Sequence, residues 1–147
     1  MKRQACAVAI AVALTSPAFA ADSCNQKMTA GSWVARCEGL LPSPSGLADA
    51  RILATCSVSK DAFWNCAGVA NVGGAIVNQT LQGQAQNHAD CTGFISYQQQ
   101  INGQPAPPLD AAYVILDGGE RIWGLPVSGG ITSCTLRRLS RDQSLGD

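Results

Sequence analysis

The chain has 147 residues, with 10 basic and 10 acidic side chains, one histidine and 7 cysteines. The length suits one domain with a core of its own, and balanced charge without a basic cluster argues against nucleic-acid binding. Arg137, Arg138 and Arg141 come nearest to a cluster and read as a solvated strand end.

The first segment has the pattern of a bacterial signal peptide. Met1-Lys2-Arg3 is charged, Ala5 to Leu14 is apolar, and Ala18-Phe19-Ala20 fits an Ala-x-Ala cleavage site. The apolar run is too short to span a bilayer, so no transmembrane segment is expected in the mature chain. Ala21-Asp22-Ser23 before Cys24 makes a poor lipidation box. The division is therefore residues 1–20, a cleaved signal peptide, and residues 21–147, a single all-β domain. The mature part keeps 8 basic and 10 acidic residues, a net charge of −2.

Gly31 to Glu38 reads as a first strand, with Trp33, Ala35 and Cys37 on one face. Leu40 to Gly46 holds Pro42, Pro44 and Gly46 and reads as a loop. The next stretch, Arg51 to Gly83, organises the sheet. In 51–58, Ile52, Ala54, Cys56 and Val58 alternate with Arg51, Thr55 and Ser57, the period of a half-buried strand. A turn at Ser59-Lys60-Asp61 sets Val58 opposite Trp64 and Cys56 opposite Cys66. Opposed residues of that kind approach to roughly 4.5 Å between Cα atoms, within disulfide reach. Gly73-Gly74 suits a tight hairpin with positive φ, which sets Val72 opposite Ala75, Ala70 opposite Val77 and Cys66 opposite Leu81. One face of all three strands is then apolar except for Gln79. The other face is wet, as antiparallel sheets allow.

Gly83 to Asp90 is polar and reads as a loop. Cys91 to Ile101 reads as a strand, Asn102-Gly103 turns the chain, and Pro105, Pro107 and Pro108 exclude a central strand. Ala112 to Leu116 and Arg121 to Val127 flank Asp117-Gly118-Gly119-Glu120, a hairpin with both faces apolar. Ile131 to Leu139 reads as the last strand, and the tail from Arg141 as a frayed end. No capped helix is expected in the mature chain.

The mature cysteines are Cys24, Cys37, Cys56, Cys66, Cys91 and Cys134. Six cysteines in an exported chain imply three disulfides and a periplasmic or secreted location. The hairpin supports Cys56–Cys66, and nearest pairing would add Cys24–Cys37 and Cys91–Cys134. Zinc is disfavoured, because no Cys-x-x-Cys occurs and His88 is the sole histidine.

About eight short antiparallel strands in meander order give an all-β, disulfide-stabilised domain, a small up-and-down barrel or a flattened β-sandwich. Gly31-Ser32-Trp33 on the first strand is similar to the Gly-x-Trp of calycin-type barrels (lipocalins, avidins and small exported protease inhibitors). The resemblance covers three residues and implies a basic residue from a late strand near that Trp, with Arg137 or Arg138 in the role.

Candidates for chemistry are few. His88 and Asp90 could form a general base, but no nucleophile accompanies them. Asp117 and Glu120 are paired carboxylates that read as a hairpin tip, and Asn78-Gln79-Thr80 is an incidental sequon. The Gly/Ala/Val-rich run Ala67 to Val77 reads as a closely packed buried hairpin. The crowd of glutamines around 79–104 reads as a soluble, uncharged surface, the alternative being amides that bond a glycan or protein partner. Trp123 and Tyr113 point to opposite sides of one hairpin, so an exposed aromatic there is the first place to look for binding.

The expectation is an exported, non-catalytic binding protein for a protein, a small molecule or a glycan, with no catalytic residues, metal or cofactor. Two alternatives stand beside it: a cell-envelope or surface component assembling through the 112–127 hairpin, and a secreted hydrolase or toxin using His88 and Asp90.

Overall fold

Alternation of small or apolar residues with polar ones runs through almost every strand, and such strands must bury one face. A computed structural model, which describes residues 23–141, shows how they do it. Eight antiparallel strands follow one another as neighbours and close into a barrel, with the last strand returning to the first. They are β1 (Gly31–Ser43), β2 (Gly46–Val58), β3 (Phe63–Val72), β4 (Ala75–Asn87), β5 (Thr92–Ile101), β6 (Gln104–Leu116), β7 (Arg121–Pro126) and β8 (Ile131–Arg141). The choice between barrel and sandwich thus resolves to the barrel. Residues 1–20, read from the sequence as a signal peptide, and the tail beyond Arg141 lie outside the described residues.

The central registers are those the alternation requires. Val58 pairs with Trp64 and Cys56 with Cys66; Ala70 pairs with Val77, Cys66 with Leu81 and Val72 with Ala75. Gly73 and Gly74 turn with φ of 58° and 92°, a conformation that a Cβ would oppose. The shared apolar face of these strands forms part of the barrel interior.

Strand extents differ from expectation in three places. The segment 83–87 is the end of β4, not a loop. Gly83 and Ala85 are buried while Gln82, Gln84 and Gln86 are exposed, so small residues line the inside there. The segment 40–43 continues β1 through Pro42, and residues 104–111 belong to β6 despite three prolines. Both segments are edges. The β1–β8 ladder stops at Leu40, and the β6–β7 ladder begins only at Ala111. Proline is tolerated where no neighbour needs its missing N–H.

The disulfides are Cys56–Cys66, Cys37–Cys134 and Cys24–Cys91. Nearest pairing is therefore corrected for four of the six cysteines. Closure of the barrel sets Cys37 of β1 opposite Cys134 of β8. Cys24 instead ties the N-terminal segment to the β4–β5 turn, where its N–H also donates to the Ala89 carbonyl.

That segment plugs one end of the barrel. Asn25 caps a 3-10 turn over Gln26–Thr29, a short helical element that the sequence reading did not foresee. Gln26 donates to the Ala85 carbonyl at 3.0 Å and accepts from the Asn87 N–H at 2.6 Å. Thr29 at the end of the turn is buried, as are Ala30 and Trp33. Arg138 seals the same end rather than lying in solvent, its side chain only 5% exposed. Its guanidinium lies 4.3 Å from the Trp33 ring centroid and donates to the carbonyls of Gly119, Ala30 and Met28. This is the late-strand basic residue that the Gly-x-Trp resemblance implies.

Candidate functional site: the barrel interior

Above the plug the barrel is hollow. Its cavity measures about 360 Å³, within the size range of ligand pockets, and is continuous with the unplugged end. Trp64, Tyr113 and Ile122 form the floor. Leu81, Ile52 and Ala70 line the walls, and Val72, Val77 and Ile101 lie toward the mouth. No Asp, Glu, Lys, Arg or His lines it. Two disulfides, Cys56–Cys66 and Cys37–Cys134, also face it and add polarisable sulfur to an apolar wall.

The floor is an aromatic stack. Trp33 and Trp64 lie 6.3 Å apart between centroids at 24°, and Trp64 and Tyr113 lie 6.1 Å apart at 50°. Gly93 makes room for Tyr113, since a Cβ there would stand 2.2 Å from the phenol Cζ. The Tyr113 hydroxyl donates to Asn87 Oδ1. The Trp33 indole N–H donates to the Thr29 carbonyl at 2.8 Å, whereas the buried Trp64 indole N–H has no acceptor among the described residues.

The polar groups of the wall are few and uncharged. Gln79 Nε2 donates to Gln99 Oε1 at 3.0 Å, and Gln99 Nε2 donates to the Pro107 carbonyl at 2.6 Å. Burial pushes the Tyr97 and Tyr113 phenols well above their ordinary pKa of 10.0, so both stay neutral at physiological pH. The interior thus offers dispersion contacts, amides and phenols, and no charge.

The two aromatic candidates separate. Tyr113 is 8% exposed in the cavity floor, while Trp123 is 46% exposed on the outer wall. There Trp123 pairs with Val114, and the row Phe94–Ala112–Leu125 runs beside it, an apolar strip across β5, β6 and β7. His88 and Asp90 lie exposed on the β4–β5 turn at the plugged end. His88 Nδ1 is 3.1 Å from the Thr92 hydroxyl, and Asp90 accepts from both the N–H and the hydroxyl of Thr92. Those bonds hold the Asp90 carboxyl below its ordinary pKa, with His88 contributing less. Both residues serve a turn, not a cleft. Asp117 pairs with Arg121, and Glu120 with Arg141, at the neighbouring turn. No group of three His, Cys, Asp or Glu side chains gathers as a metal site among the described residues.

Comparison with protein-family models, curated proteins and solved structures returns no match to this chain. The cavity itself was not anticipated from the sequence, although one sign of it was present. Gln79 is the single polar residue on the apolar face of the three central strands, and it faces the hollow with Gln99.

Proposed function

We propose that this chain is an exported, non-catalytic binding protein whose ligand is a small, neutral, largely apolar molecule held inside the barrel. The observation that carries the reading is the uncharged cavity of about 360 Å³ opening at one end. Burying a charge there would be costly without a partner, so the enclosed part of the ligand is neutral. Gln79, Gln99 and Tyr97 supply the hydrogen-bonding groups that would orient one polar function on it. Three disulfides favour an oxidising compartment, consistent with export.

The test is titration of the oxidised protein with the neutral probe N-phenylnaphthylamine. Saturable fluorescence enhancement, abolished by Val77→Trp (a half-buried wall position) in a variant that still folds, is the expected outcome. Enhancement that survives filling the cavity would sink the reading.

A second reading rests on the outer wall. Exposed Phe94, Trp123 and Leu125 form an apolar strip at which a protein partner or another copy could dock. Sedimentation over a wide concentration range, with Trp123→Asp as control, tests it. A monomer at every concentration that captures no partner removes it.

A further inference from the structure

The two ends of the barrel differ in chemistry. At the plugged end every strand connection carries charged or titratable residues: Lys60 and Asp61, His88 and Asp90, Asp117 and Glu120. At the mouth the four connections are 44–45, 73–74, 102–103 and 127–130, and none holds a charge. Each has an exposed aliphatic within two residues: Leu47, Ile76, Ile101, and Val127 with Ile131. Ile131 at 69% and Ile76 at 67% are the most exposed large apolar side chains among the described residues. Of these, Ile101 also lines the cavity, while Leu47, Ile76, Val127 and Ile131 stand exposed around its rim.

We infer that the mouth is a membrane-docking surface, through which the barrel exchanges its apolar ligand with a lipid bilayer. This rests on the cavity reading and adds the partner. A stable protein interface centres on a packed cluster with aromatic or Arg anchors. Here the aliphatics are spread around the rim, four of them at strand ends beside short turns of Gly, Ser, Asn and Pro, and Val127 in the last turn. A fluid surface can fill such a ring, and side chains of this kind enter the boundary between headgroups and acyl chains. Direct transfer also spares an apolar ligand its exposure to water. The charged residues nearest the mouth are Asp49 and Asp110, and Asp110 accepts from the Ser96 hydroxyl. Both are acidic, so the surface suits neutral lipid and gains nothing from anionic headgroups.

The test is flotation of the oxidised chain from Ala21 onward with phosphatidylcholine vesicles. The wild type is expected to float, to the same extent at low and high salt, and no better when phosphatidylglycerol is added. Ile76→Asp with Ile131→Asp should lower partition at least roughly tenfold, because two aliphatics that would enter the bilayer are lost, while N-phenylnaphthylamine still binds in solution. Val77→Trp should lose the probe and still float. Wild-type protein that stays soluble, a double variant that floats undiminished, or a mouth-to-mouth dimer in place of flotation would each overturn the inference. Flotation of a wild type that binds no probe would sink the cavity reading while supporting the dock.

Discussion

Arg138 of β8 and Trp33 of β1 are stacked across the barrel seam, with the guanidinium 4.3 Å from the ring centroid. The same guanidinium bonds three carbonyls, those of Met28, Ala30 and Gly119, and so ties the plug, the seam and the β6–β7 turn together. Burial pulls its pKa below the ordinary arginine value, and Glu120 at 3.8 Å acts in the opposite sense. Arg138→Ala would leave three carbonyls without this donor. The expected loss is roughly 3 kcal/mol in urea unfolding, with Arg138→Lys intermediate because an ammonium cannot fork to the same acceptors. A loss no larger than that of Arg137→Ala, an exposed neighbour, would refute the assignment.

The three disulfides should not be equal. Cys37–Cys134 spans 97 residues of sequence and Cys56–Cys66 only 10. Chain entropy then predicts that replacing the first pair by alanine costs about 2 kcal/mol more than replacing the second. Thermal unfolding of the two double variants gives the comparison, and equal losses would contradict it.

The two stacked indoles differ in what their N–H groups do. Trp33→Phe removes a bond to Thr29 and leaves that carbonyl short of a donor. Trp64→Phe removes a buried N–H that has no acceptor among the described residues. The first substitution is expected to cost about 1 to 2 kcal/mol more than the second in denaturant melts. The reverse order would mean that the Trp64 N–H is bonded in solution.

Alkaline pH should destabilise the barrel. Burial raises the Tyr97 and Tyr113 pKa values above the 10.0 of an exposed phenol. Between those limits the folded state holds protons that the unfolded chain releases, so stability is intact below about pH 10 and falls as pH rises. Tyr97→Phe and Tyr113→Phe should each flatten that decline. A wild-type stability that stays level through the alkaline range would count against both phenols being desolvated.

Much of the sheet is legible in the residues because alternation and register are local. Val58, Trp64, Cys66 and Leu81 fix one another through two short turns, and nothing distant is needed. The disulfides of Cys37 and Cys24 were hidden for the opposite reason. Cys37 meets Cys134 only because the first and last strands close the barrel, a relation that nearest pairing ignores. A meander of eight strands, each outer one bearing an inward cysteine, carried the clue. The end of β4 was obscured because Gly83 and Ala85 face inward yet give almost no hydrophobic signal. The hollow was obscured because it follows from the summed volume of many side chains, while the mouth turns look unremarkable until the fold brings them together.

The first half of β6 has a further consequence. Residues 104–109 have β5 as their only ladder partner, so the barrel wall has an unpaired margin beside its mouth. A bare strand margin invites another chain to add to it. Here Pro105, Pro107 and Pro108 offer no amide hydrogen to a newcomer, and the Gln99 side chain already occupies the Pro107 carbonyl. The wall can therefore stay unpaired beside the mouth without becoming a template for polymerisation.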